Sequence, residues 1–175
     1  MTVQTLRDLI LTHCVSVPDF PKPGVTFRDL TPVFADAEAF AAIIPALLKP
    51  FEGRFDRVAG VEARGFILAA AAAYGAGTGV TAVRKPGKLP RQVHSESYSL
   101  EYGNAAVEIH RDEFPPGTRV LVLDDVLATG GTLAAAVRLL ERAGAEVVGA
   151  AVVLELEGLG GRVAVPTPVH ALVTI

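Results

Sequence analysis

The segment VLVLDDVLATGGTL, Val120 through Leu133, narrows the possible folds more than any other stretch of the chain. The apolar run from Arg119 to Asp124 reads as a buried strand of a parallel sheet, and Thr132 through Ala143 reads as a helix stopped by Gly144. Between them, Val126 through Gly131 is a loop of small residues that opens straight into the helix. Such a unit belongs to α/β architecture, in which the carboxyl ends of the strands carry the ligand. Gly130 and Gly131 let backbone N–H groups approach an anion, the helix N-terminus adds a favourable partial charge, and Thr129 and Thr132 offer hydroxyl donors. Asp124 and Asp125 would repel a phosphate, so they need other partners: the hydroxyls of a sugar, or a divalent metal in front of them. A sugar phosphate supplies both kinds. No G-x-x-x-x-G-K-[ST] pattern occurs, and G-x-G-x-x-G is missing at this turn, which argues against P-loop and dinucleotide sites.

The other periodicities fit the same class. Gln4 to Cys14 has apolar residues at helical spacing, and Pro18, Pro21 and Pro23 then impose an extended, ordered loop leading into GVTFRDLTPVF. Asp36 is placed to cap a second helix through Ala39, Phe40, Ile43, Ile44, Leu47 and Leu48, and Pro50 marks its end. Arg57 through Val61 is a short strand, Glu62-Ala63-Arg64-Gly65 a loop, Phe66 through Tyr74 a small-residue helix and Val80 through Arg84 another strand. Lys85 through Ser95 reads as a mobile loop, followed by a β-hairpin in which Tyr98, Leu100 and Tyr102 alternate up to Gly103-Asn104 and Ala105, Val107 and Ile109 alternate after it. Val147 through Leu154 returns to the sheet, and Val169 through Ile175 is a last strand at its edge. The expected fold is a mostly parallel sheet flanked by helices, one domain over residues 1–175, with the loops at Glu62, Lys85 and Asp125 on the ligand-binding edge.

Composition bounds the partners. In 175 residues with a net charge of −3 there is no basic field to gather nucleic acid or anionic lipid, so a local site must hold any anion. Cys14 is the only cysteine, the first segment is a poor signal peptide, and the apolar runs fall short of the roughly 20 residues a bilayer crossing needs. The expectation is a cytoplasmic protein without membrane contact. His13, His94, His110 and His170 are scattered without metal spacing; of these, only His94 lies where it could reach a phosphate.

Two acids after an apolar strand, followed by ATGGT, resemble the phosphoribosyl diphosphate signature of type I phosphoribosyltransferases. The resemblance implies that Ala128, Thr129, Gly130, Gly131 and Thr132 cradle the 5-phosphate while Asp124 and Asp125 contact the ribose hydroxyls. FPKPGVTFRDLTP, GVEARGF, VRKPGKLP and SLEYG are similar, in the same order, to blocks of the adenine phosphoribosyltransferases. That likeness implies adenine binding by Thr26, Phe27, Arg28, Leu127 and Leu159, with residues 1–35 forming part of a hood over the base. It also implies a diphosphate site at Glu62, Ala63 and Arg64, often across an unusual peptide bond, with Arg84, Lys85 and Lys88 as further cations and Lys88 in a flexible lid. Glu101 and Tyr102 would fold over the reacting centre, joining Arg64 and Lys88 as catalytic residues, with Glu101 the candidate to manage a base proton.

The activity so implied is purine salvage: transfer of 5-phosphoribose from 5-phosphoribosyl 1-diphosphate to N9 of adenine, giving AMP and diphosphate. Mg2+ is the implied cofactor, bound mainly through substrate and water near Asp124 and Asp125, and the implied assembly is a homodimer. Two alternatives stay open: transfer to hypoxanthine, guanine or xanthine, and a non-catalytic regulator that senses the same ligand.

Overall fold

In a computed structural model, residues 3–99 and 104–175 are described, and they fall into two units, Met1–Ala46 and Leu47–Ile175. The first contains α1 (Val3–His13), β1 (Val15–Val17), β2 (Phe27–Asp29), α2 (Thr31–Ala35) and most of α3 (Ala37–Leu48). The Asp36 cap is formed as expected, its Oδ1 accepting from Ala39 N at 2.8 Å. Strands β1 and β2 pair antiparallel, Val17 opposite Phe27, inside the segment expected as plain loop. Each is only three residues long, so neither has enough alternation to be read from the sequence.

The second unit is a five-stranded sheet in the order β4-β3-β7-β8-β9, every neighbouring pair parallel. Its elements are β3 (Arg57–Val61), α4 (Gly65–Ala76), β4 (Gly79–Val83), β5 (Val93–Ser99), β6 (Asn104–His110), β7 (Arg119–Leu127), α5 (Gly131–Arg142), β8 (Glu146–Glu155), α6 (Gly161–Ala164) and β9 (Val169–Thr174). All carboxyl ends therefore share one edge. Central β7 is walled by fully buried Val120, Leu121, Val122 and Leu123, and the helix faces against the sheet are built from alanine and leucine. Small residues bring α4 against the sheet: a methyl on Gly60 would stand 2.5 Å from the Gly65 carbonyl oxygen and 2.7 Å from Ala69 Cβ.

Three expectations need correction. Strand β7 does not stop at Asp124 but runs on to Leu127, with Val126 opposite Leu154 and Leu127 opposite Glu155, so the loop shrinks to the residues before Gly131. An acid can sit inside this strand because Arg64 compensates Asp125. The hairpin strand begins at Val93 instead of near Tyr98, and its base belongs to the core: Val107 and Ile109 are buried, and Glu96 bridges Arg138 and Arg142 of α5 at 3.0 and 2.9 Å. Its solvent-facing polarity disguised it as loop. Third, α6 and the single helical turn at Glu157–Leu159 were not foreseen. Among the described residues no helix is long and apolar enough to cross a membrane.

Candidate active site

Two helices begin at the carboxyl edge of the sheet, and neither start is closed by a capping side chain among the described residues. At α4, Phe66 N and Ile67 N already donate to the Ala63 and Arg64 carbonyls at 3.2 and 3.1 Å, so it is chiefly the start of α5 whose first-turn N–H groups are available to an anion. At α5, Gly130 turns left-handed at φ +80°, which swings the chain from β7 into the helix. Asp124, Val126, Ala128, Thr129, Gly130, Gly131, Thr132 and Leu133 line a cavity of about 90 Å³ there. That is too small for a whole ligand, which takes roughly 300–1,000 Å³, and suits one anionic group of it. The loop is backed by α6: a Cβ on Gly130 would collide with the Gly161 carbonyl and stand 3.1 Å from Ala164 Cβ.

Asp124 and Asp125 leave opposite faces of β7, as alternation requires. Asp124 is half-buried at the cavity, its Oδ1 accepting from Asp125 N at 2.9 Å. Burial first, and then the neighbouring charge of Asp125, push its carboxyl well above the usual carboxylate range. Asp125 is buried, with Arg64 Nε ion-paired to its Oδ2. Arg64 precedes α4, and the start of that helix presses on the same strand end. A methyl on Gly65 would stand 2.7 Å from Leu123 O and 3.2 Å from Asp124 Oδ1. The acid pair, the cavity at α5 and the start of α4 are thus one continuous site.

The Glu62–Ala63 peptide is cis, the unusual bond that the resemblance implied at this loop. Glu62 turns its carboxylate toward the end of β4, where Oε2 accepts from Lys85 N at 2.8 Å and from Arg84 Nε at 3.3 Å. The Lys85 amide, and after it Arg84, hold the Glu62 carboxyl below its usual range. The side chain of Glu62 ties two loops together. Arg84 also reaches the Lys88 carbonyl at 3.4 Å, and Gly87 N donates to Glu108 Oε2 at 3.0 Å, so the segment expected to be mobile is moored at both points. Lys85 and Lys88 are exposed.

In the Met1–Ala46 unit, Phe27 is half-buried and packs edge-to-face on Phe20, ring centroids 5.2 Å apart. Thr26 is exposed, and Arg28 Nη1 donates to Ser16 Oγ. In the other unit Leu159 is exposed on the Glu157–Leu159 turn, whereas Leu127 is buried in the core beneath Gly161. Glu101 and Tyr102 lie outside the described residues. The side chains that sequence reasoning passed over are Tyr98, whose hydroxyl is 3.0 Å from Thr132 Oγ1, and buried Glu155, ion-paired to the exposed Arg162. Glu155 carried a usable signal, an acid closing a long apolar run; Tyr98 showed only strand alternation.

No group of three His, Cys, Asp or Glu side chains among the described residues gathers into a metal site. Asp124 is the acid whose raised carboxyl would gain from a nearby cation, and a magnesium ion held mostly by ligand oxygens and water fits beside it.

A family model described as a phosphoribosyl transferase domain matches residues 29–165. An adenine phosphoribosyltransferase of Renibacterium salmoninarum is 64% identical over 159 residues, 91% of this chain and 87% of the relative. The crystal structure of the adenine phosphoribosyltransferase of Rhodothermus marinus superposes with a TM-score of 0.93 at 48% identity, covering 98% of this chain and 99% of that one. That of Saccharomyces cerevisiae, solved with adenine and an imino-altritol bisphosphate, gives 0.92 at 34% identity, covering 97% and 99%. With this breadth of match the chain belongs to the phosphoribosyltransferase family, among its adenine phosphoribosyltransferases.

Proposed function

We propose that the chain transfers 5-phosphoribose from 5-phosphoribosyl 1-diphosphate to N9 of adenine, releasing AMP and diphosphate in purine salvage. The observation that carries this reading is the junction of an acid pair with an uncapped, glycine-lined helix start at one strand end. The yeast relative holds adenine and a sugar bisphosphate analogue, the two ligand types the reaction joins.

In this reading Ala128 through Thr132 take the 5-phosphate on backbone N–H groups and two hydroxyls. Asp124 accepts hydrogen bonds from the ribose hydroxyls, and Asp125 fixes the guanidinium of Arg64 by pairing with it. Loss of diphosphate leaves positive charge on the sugar ring and negative charge on the leaving group. Arg64, the start of α4, Lys85 and Lys88 face the second of these, while the acids favour the first. Bound magnesium adds charge neutralisation of the diphosphate. Thr26, Phe27 and Arg28 read the base, with Leu159 contributing apolar contact; Leu127 acts from beneath the cradle. Glu101 and Tyr102, outside the described residues, are the family-implied catalytic pair, with Glu101 the candidate to manage the base proton. The protein works in the cytoplasm as a homodimer; exposed Ile67 and Tyr74 on α4 and Val80 on edge strand β4 offer apolar surface for such association.

Incubating the purified protein with donor, magnesium and each purine tests the assignment. AMP from adenine, with little product from hypoxanthine, guanine or xanthine, is expected. A preference for a 6-oxo base would move the chain to a different specificity, and no nucleotide from any base would make it a sensor.

A further inference from the structure

We propose that Tyr98 is a positioning residue for the donor's 5-phosphate, acting through the hydroxyl of Thr132; this rests on the reading of the Ala128–Thr132 loop given above. Thr132 lines the 90 Å³ cavity, and its Oγ1 lies 3.0 Å from Tyr98 Oη. A threonine hydroxyl carries one proton and a phosphate dianion accepts only donors, so Thr132 serves the phosphate only if its proton turns that way. Its oxygen then needs a donor from the other side. Tyr98 is in place to be that donor. With the cavity empty the bond between the hydroxyls can run in either direction; with phosphate present only one order satisfies every group. Tyr98 O–H then donates to Thr132 Oγ1, and Thr132 O–H donates to phosphate. Such a chain polarises the outer donor in a site of low dielectric.

The rest of Tyr98 is placed for the same work. Its ring packs against the hydrophobic core, which fixes the side chain without needing the hydroxyl. The strand that carries it is held on α5 by Glu96 through Arg138 and Arg142, which ties the strand to the helix whose first turn carries Thr132. On its other side Tyr98 lines a second hollow of about 540 Å³ together with Lys85, Ser97 and Asn104. Tyr98 thus lines this hollow while its hydroxyl reaches Thr132 of the phosphate cavity.

The test is calorimetric binding of ribose 5-phosphate to the wild type, Tyr98→Phe, Thr132→Val and the double variant, with the kinetics of AMP formation alongside. Tyr98→Phe keeps the ring and is expected to weaken ribose 5-phosphate about fivefold, the weight of one hydrogen bond, and to raise the donor KM by a similar factor while the adenine KM and kcat hold. In the Thr132→Val background the same change should cost nothing further, a coupling that a merely structural tyrosine would not show. Unchanged affinity in Tyr98→Phe, a fall in Tm alone, or an equal loss in both backgrounds overturns the proposal and leaves the reading of the loop intact. If the wild type itself fails to bind ribose 5-phosphate, that reading falls and the proposal with it.

Discussion

Replacing Gly130 by alanine perturbs the site at one atom, and the structure fixes what that atom would meet. Gly130 sits at φ +80°, where an L-residue costs about 1–2 kcal/mol. The added methyl would also run into the Gly161 carbonyl and stand 3.1 Å from Ala164 Cβ, an overpacking of roughly 1–3 kcal/mol. Together these destabilise by about 2–5 kcal/mol, which leaves a protein of ordinary stability, about 5–15 kcal/mol, still folded at 25 °C. For a chain of this length the Tm should fall by about 4–20 °C. Relief of the clash must displace the loop amides, and loss of one hydrogen bond to a charged oxygen, about 1.5–3 kcal/mol, raises the donor KM about 10- to 150-fold. Gly144→Ala is the control. It has the same left-handed backbone at φ +92°, but its Cβ would meet nothing closer than Pro116 Cα at 4.0 Å. It should show the backbone cost alone, about 1–2 kcal/mol, with the donor KM unchanged. Scanning calorimetry and initial-rate kinetics on both variants decide the matter. A Gly130→Ala protein with wild-type Tm and a donor KM within about twofold would refute the claim that this backbone shape builds the cavity.

Three further outcomes are expected. Asp124 carries a carboxyl pushed up on folding, so its contribution favours the fold below the ordinary carboxylate range and is lost as pH rises through its raised value. Asp124→Asn should therefore raise the Tm of the ligand-free protein at pH 7 while weakening donor binding; a lower Tm, or a stability–pH curve unchanged from wild type, would contradict this. Glu155→Ala removes the partner of Arg162 and loosens the turn that places Gly161 against Gly130, so urea unfolding should show a loss of about 1–3 kcal/mol and the donor KM should rise. Lys88→Ala alters an exposed side chain and should lower kcat by about tenfold with Tm unchanged, the weight of one charged contact to the leaving diphosphate; a normal kcat would remove Lys88 from the mechanism.

Much of the sheet was legible because burial on both faces writes itself as unbroken apolar runs. Strands at Arg57 and Glu146 follow that rule; the edge strands at Gly79 and Val169 are more exposed and show through their β-branched residues, and paired glycines mark the helix start at Gly131. Two kinds of feature were illegible for definite reasons. Short elements, β1, β2 and α6, hold too few residues for a period to show. Elements whose partners are polar look like loops: β5 presents Glu96 to two arginines, and β7 continues through Asp125 because an arginine 61 positions earlier in the chain, Arg64, lies beside it. Sequence patterns register apolar burial and do not register a distant countercharge. The roles of Asp124 and Asp125 differ for the same reason. Adjacent in the chain, they face opposite sides of a strand, one toward the cavity and one toward Arg64.

The most direct test is a crystal structure of the protein with AMP. The phosphate is expected in the cavity at the start of α5, against the backbone of Ala128 through Thr132 and within hydrogen-bond reach of the Thr129 and Thr132 hydroxyls, with the ribose hydroxyls at Asp124. A phosphate seated anywhere else, with that cavity holding only water, would contradict it.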